Sequence, residues 1–180
     1  GTVGTEVEIS GEGFAPDEDI TVEYDRDDIT DEVEDAYADE DGDIILTFLI
    51  PESTFGEHTI TITGEESLAE LELTFTVEPA ITIDLEEGEA GTEVMVNGTG
   101  FVKRNGVDIY FNNIKVAEVE ATNRDGSFYA ATFTVPDGLA EATYTVLAED
   151  EDDDDIYAGA EFTVIVVIPP LEPAITVDTT

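Results

Sequence analysis

Short runs in which apolar and polar residues alternate, separated by Gly, Pro, Asn and Asp, fill this chain almost from end to end. In Ile20-Thr21-Val22-Glu23-Tyr24 and in Val107-Asp108-Ile109-Tyr110-Phe111 apolar side chains recur at every second position, the period of a strand buried on one face. Thr59-Ile60-Thr61-Ile62, Thr143-Tyr144-Thr145-Val146, Phe75-Thr76-Val77 and Phe162-Thr163-Val164 are similarly rich in β-branched and aromatic residues. Asp41-Gly42, Asp125-Gly126 and Asn112-Asn113 are hairpin turn signals, because these residues tolerate positive φ. The one helix candidate, Asp31 to Tyr37, is short and acidic, and is expected to be a solvated loop or edge strand. Regular short strands with turn signals predict an all-β chain of antiparallel sandwiches.

Self-comparison then shows that the pattern occurs twice. Gly1-Thr2-Val3-Gly4-Thr5-Glu6-Val7-Glu8-Ile9-Ser10-Gly11-Glu12-Gly13-Phe14 matches Gly88-Glu89-Ala90-Gly91-Thr92-Glu93-Val94-Met95-Val96-Asn97-Gly98-Thr99-Gly100-Phe101. Ile20, Val22 and Tyr24 correspond to Val107, Ile109 and Phe111. Asp41-Gly42 matches Asp125-Gly126, Ile50-Pro51 matches Val135-Pro136, and Phe75-Thr76-Val77 matches Phe162-Thr163-Val164. Thr59–Ile62 is aligned with Thr143–Val146, which sets His58 against Ala142. The chain is a duplication, divided as module 1 over 1–77, module 2 over 78–167, and a linker with a terminal strand over 168–180.

The motif Gly-x-x-Gly-Thr-x-Val-x-Ile-x-Gly-x-Gly-Phe, followed by Asp-Gly and Val-Pro, resembles the Ig-like repeats of archaeal and bacterial cell-surface proteins, near the IPT/TIG type. The resemblance covers nearly the whole chain. It implies two tandem Ig-like antiparallel β-sandwiches in an extracellular or cell-surface setting. It leaves function open, since such modules serve as spacers, adhesins, surface-layer parts and filament subunits.

Module 1 departs from the pattern at its front. Module 2 opens with Glu78-Pro79-Ala80-Ile81-Thr82-Ile83-Asp84, a strand ahead of its Gly88 motif, and module 1 has no such strand before Gly1. Nearly the same segment closes the chain, as Glu172-Pro173-Ala174-Ile175-Thr176-Val177-Asp178-Thr179-Thr180. Two head-to-tail arrangements follow. Separate copies polymerise by strand addition, with Pro173, Ala174, Ile175, Thr176 and Val177 as the subunit interface, or the 180 residues are one period of a longer covalent array. The missing initiator methionine fits a processed or excised chain. Burying Ile175 and Val177 contributes roughly 1.5–3 kcal/mol each, and each ladder hydrogen bond about 1 kcal/mol. Association costs ~4–15 kcal/mol, so a nine-residue tail alone is marginal. The apolar linker Ile165–Leu171, stiffened by Pro169-Pro170, is a candidate for additional contact.

Charge narrows the choice of partner. Five Lys and Arg stand against 46 Asp and Glu, a formal net charge of -41. A phosphate backbone would be repelled, so nucleic acid is excluded, and anionic lipid is disfavoured. No run approaches the roughly 18 apolar residues of a membrane span, so direct membrane insertion is not expected. Self-repulsion makes high salt or divalent cations the natural surroundings. With no cysteine there is neither disulfide nor thiolate metal site.

Candidate chemistry is sparse. No nucleophile elbow, P-loop or zinc-protease pattern is present, and the lone His58 reads as a surface residue, so no enzyme is expected. No cofactor is required. Calcium or another divalent cation is the ligand that clustered oxygens would take, and Asp39, Asp41, Asp43 and Asp150, Asp152, Asp153, Asp154, Asp155 are the candidates. Asp39–Asp43 lacks the full spacing of a calcium loop, and a hairpin turn explains it equally. The run Glu149–Asp155 lies between the last two strands of module 2, where it serves as a solvated tip or holds cations between copies. Asn97-Gly98-Thr99 is a glycosylation sequon on a strand. The reading that follows is a structural subunit of an extracellular filament or surface array, joined to other copies of itself. Its alternative is an adhesin or spacer module from a longer tandem array.

Overall fold

A computed structural model describes residues 1–166 of the chain. Module 1 contains β1 (Glu6–Glu12), β2 (Ile20–Tyr24), β3 (Asp27–Asp28), β4 (Asp43–Leu49), β5 (Gly56–Gly64) and β6 (Glu70–Val77). Module 2 contains β7 (Ala80–Ile83), β8 (Glu87–Gly88), β9 (Glu93–Thr99), β10 (Val107–Phe111), β11 (Ile114–Val119), β12 (Phe128–Thr134), β13 (Ala142–Asp150) and β14 (Tyr157–Val164). These are two tandem Ig-like β-sandwiches. In module 1 the sheet β1-β4 faces β3-β2-β5-β6, and in module 2 the sheet β12-β9-β7 faces β11-β10-β13-β14-β8. Among the described residues every strand pairing is antiparallel except β14 with β8.

The alternation read from the sequence becomes burial. Ile20, Val22 and Tyr24 point inward from β2, and Val107, Ile109 and Phe111 do so from β10. Each module has its own core, one around Leu46, Ile62 and Val77, the other around Val96, Phe111 and Phe162. Asn112 and Asn113, both at positive φ, turn β10 into β11. Asp31 to Tyr37 begins in a single 3-10 turn, Thr30–Glu32, and then runs along module 1 through bridges from Glu34 to Thr47 and from Tyr37 to Asp19.

The repeated motifs have a shared physical cause. Phe14 donates its N–H to the Gly42 carbonyl and Phe101 donates to Gly126, at 3.1 and 3.0 Å. A Cβ on either glycine would collide with the carbonyl of its phenylalanine. Both glycines also hold positive φ, 82° and 72°, which L side chains rarely adopt. Phe and Asp-Gly recur together because each fixes the other.

One alignment needs correction. Tyr24 pairs with Ile60, and Phe111 pairs with Val146, so Ile60 corresponds to Val146 rather than to Tyr144. A two-residue slip keeps every side chain on its face, so alternation alone does not detect it. The structural counterpart of His58 is therefore Tyr144, not Ala142: His58 pairs with Phe75 and Tyr144 with Phe162.

Candidate functional site

The two modules differ most along β1. In module 2 the strand equivalent to it, β9, lies between β12 and β7. Ala80, Ile81, Thr82 and Ile83 of β7 stand opposite Thr99, Gly98, Asn97 and Val96. Ile81 and Ile83 face the core, and Val94 and Val96 beneath them are wholly buried. In module 1, among the described residues, β1 pairs with β4 alone. Val7 and Ile9 are only half-buried. Across the opening, Phe75 of β6 is half-buried and Leu73 exposed, although Phe162, the counterpart of Phe75, is fully buried.

The result is a seam between the two sheets of module 1, with Val7, Ile9 and Gly11 on one wall and Leu71, Leu73 and Phe75 on the other. Backbone N–H and C=O groups on the outer side of β1 line its rim, a template for an added strand. Sequence reasoning identified the donor-type segment without naming these receiving residues. The signal was available: Val7, Ile9, Gly11, Leu71 and Phe75 align with Val94, Val96, Gly98, Ala158 and Phe162, all buried in module 2, whereas Leu73 aligns with the partly buried Ala160. Pro173, Ala174, Ile175, Thr176 and Val177, named from the sequence as the interface, lie outside the described residues.

At the front of the seam the remaining scaffold is already in place. Gly1 accepts the N–H of Glu78 at 2.8 Å, as Gly88 accepts that of Ile165 at 3.0 Å. The Gly1 amino group also donates to the Thr76 carbonyl at 2.9 Å. Gly1 thus occupies the place that β8 holds in module 2.

His58 corrects the expectation of a surface side chain. It is 7% exposed and stacks on Tyr24 with ring centroids 5.3 Å apart, as Tyr144 packs on Phe111 at 5.6 Å. The position holds a ring in both modules. Nδ1 meets Asp25 Oδ2 at 2.6 Å and Nε2 meets the Thr54 carbonyl at 2.7 Å. Both partners are acceptors, so the two bonds form together only on the doubly protonated ring. Ser53, the neighbouring hydroxyl, bonds Tyr24 at 3.0 Å. His58 Nε2 is thus engaged by a backbone carbonyl, and Ser53 bonds both Tyr24 and the Pro51 carbonyl. These groups line the cleft between the modules with Lys103 and Arg124.

The acidic candidates are placed as follows. Asp39 Oδ1 accepts the N–H groups of Asp41 and Asp43 at 2.9 and 3.0 Å, and those bonds hold its carboxyl below the usual range. Asn123 does the same for Asp125 and Ser127, both at 2.8 Å. Asp41, Asp43, Asp152, Asp153, Asp154 and Asp155 are exposed. Asp150 is 3% exposed, and its Oδ1 accepts from Asn105 Nδ2 at 2.7 Å. Among the described residues no three Asp, Glu or His side chains are grouped to hold a metal ion. Asn97 Oδ1 accepts the N–H of Ala130 at 2.9 Å, fixing the bulge where β12 shifts register against β9.

A second buried carboxylate escaped sequence reasoning. Glu18 is 1% exposed. Burial opposes its charge, but Ser67 Oγ and the N–H groups of Ser67, Ala15 and Glu66 outweigh that and bring its pKa down to about 2. Gly64 makes the room, since a Cβ there would lie 2.5 Å from Glu18 Oε1. In module 2 the roles are exchanged: Asp150 stands where Gly64 does, and Asn105 takes the place of Glu18. Each module buries one carboxylate at this corner.

No protein-family model matches the chain, and no curated protein matches it. Solved structures similar to it include the fibronectin(III)-like modules of CbhA from Clostridium thermocellum, 12% identical over 98% of this chain and 93% of that one, with a TM-score of 0.33. The central fibronectin-III array of RIM-binding protein is 13% identical over 96% of this chain and 70% of that one, with a TM-score of 0.39. Titin Ig tandem domains are 14% identical over 91% and 89% of the two chains, with a TM-score of 0.31.

Proposed function

We propose that this chain is a structural, non-enzymatic unit of an extracellular filament or surface array, built from copies stacked head to tail. In that assembly the open edge of module 1 receives a strand of the Glu172–Asp178 type from a neighbouring copy. The supporting observation is the half-burial of Val7 and Ile9 on a strand paired on one side, against the full burial of Val94 and Val96 on β9, which is paired on both sides. Adding a strand there covers apolar surface and satisfies backbone groups at once, which is how strand addition obtains its affinity. Because donor and acceptor lie on different parts of one chain, the contact is heterologous and propagates into a ring or an open filament.

Deleting residues 172–180 tests this reading. Sedimentation of the truncated chain is expected to show separate molecules that keep both sandwiches, while the full chain assembles. Unchanged assembly of the truncated chain overturns the reading.

The arrangement of β7 favours one alternative. There the completing strand is supplied by the covalently preceding linker, so the 180 residues would also serve as one period of a longer adhesin or spacer array. Mass of the native material under denaturing conditions separates the two: near 19.4 kDa for individual subunits, far larger for an array.

A further inference from the structure

We infer that the occupant of the seam is a second copy rather than the chain's own tail, and that it binds in one register, with Ile175 opposite Gly11 and Val177 opposite Ile9. This rests on the strand-addition reading above and makes it specific.

The register comes from module 2. Glu78–Asp84 and Glu172–Asp178 are identical except for Ile83 against Val177. Ile81 stands opposite Gly98 and Ile83 opposite Val96, and β9 maps onto β1 residue for residue. Gly98 pairs with Phe128 on its other side as Gly11 pairs with Ile44. Transferred to module 1, the pairs are Ala174 with Glu12, Ile175 with Gly11, Thr176 with Ser10, and Val177 with Ile9. A one-residue slip would turn both apolar side chains to solvent.

Gly13 supports the same placement. In module 2 the incoming linker crosses Gly100 so closely that a Cβ there would lie 2.7 Å from the Glu78 carbonyl. Gly13 has the same left-handed backbone, with φ of 96° against 73°, yet nothing lies within 4 Å of its Cβ position. The groove that Glu78 fills in one module is clear in the other, and Glu172 is the matching residue.

Chain length excludes the molecule's own tail. In this register the incoming strand enters at the Glu12 end of β1, the end of module 1 away from the cleft between modules. The last strand, β14, runs from Tyr157 away from that cleft to Val164. Each module is about 30 Å long, the span of its nine-residue strands β5 and β13. The eight residues from Ile165 to Glu172 reach at most about 29 Å, about half the way back past two stacked modules. A neighbour placed head to tail has no such distance to cover.

Cysteine cross-linking reads the register directly, because the chain contains no cysteine of its own. Full-length Ser10→Cys and Thr176→Cys, one of them tagged, are mixed and oxidised. Opposed residues on paired strands bring Cα atoms within disulfide range, so a heterodimer is expected. It should be lost when Ala174→Cys or Asp178→Cys replaces Thr176→Cys. A heterodimer from a slipped pair instead overturns the register while leaving strand addition intact. If no pair cross-links, both the register and the strand-addition reading are overturned. A Ser10→Cys/Thr176→Cys double variant that closes within single molecules at high dilution overturns the choice of a second copy.

Discussion

Ile83 stands opposite Val96 across the β7–β9 ladder, and Val96 is completely buried beneath it. At the same place in module 1, Ile9 faces a vacant strand position among the described residues and is only half-buried. Two copies of one sequence motif therefore sit in different environments, and the difference lies in what flanks them.

The valines of the two modules should respond unequally to truncation. Val94→Ala is expected to lower stability by about 2 kcal/mol, whereas Val7→Ala in separate molecules costs about 1 kcal/mol, because less of its surface leaves water. Urea titration of unassembled protein checks the contrast. In assembled protein the two costs should converge.

Glu18 predicts a pH dependence of known sign. Its folded carboxyl, at about 2, lies below the ordinary value of 4.5. The fold thus favours the charged form, so its contribution is complete above pH 4.5 and disappears as pH falls towards 2. Glu18→Gln should melt below the wild type at neutral pH, with the gap closing between pH 4.5 and 2. A gap that stays constant through that window would contradict the assignment.

The strand pattern, the duplication and the resemblance of residues 78–84 to 172–178 are legible in the sequence because each depends on local spacing. The rest depends on long-range contacts. His58 is buried by partners from two loops, Asp25 and Thr54, and its ring is matched only by Tyr144, hidden by a slip that alternation does not detect. Glu18 is one carboxylate among 46 Asp and Glu, and three of its four donors, on Glu66 and Ser67, lie 48 and 49 residues away. The open seam emerges only when β1 and β6 are brought to face each other.

Glycine substitutions should separate backbone conformation from close approach. Gly91, at φ of 86°, has open space at its Cβ position, so Gly91→Ala is expected to cost about 1 kcal/mol. Gly126, at 72°, also presses on the Phe101 carbonyl, and Gly126→Ala should cost about 3 kcal/mol. Calorimetric melting of the two variants provides the comparison.

Association between copies should strengthen with salt. At the cleft between modules, module 2 presents Lys103 and Arg124, with Arg104 next in sequence; the positions equivalent to Lys103, Arg104 and Arg124 at the outer end of module 1 are Pro16, Asp17 and Glu40. Glu52, which accepts from Ser127 and Tyr129 across the cleft, corresponds to Asp137, and the positions of those two donors are held in module 1 by Asp43 and Ile45, which carry no hydroxyl. In the proposed head-to-tail assembly, acid would therefore meet acid between copies. Raising salt from about 0.1 M to about 1 M shortens the screening length from about 10 Å to about 3 Å, and sedimentation velocity should show larger assemblies. Asp17→Arg with Glu40→Arg should weaken that dependence.

Amide hydrogen exchange along β1 tests the closure of the first sandwich most directly. In separate molecules, the β1 amides turned away from β4 should exchange quickly, while those of β9 facing β7 are protected. On assembly the two sets should become equally slow. Full protection of those β1 amides before any copies associate, or none after they do, would contradict the account.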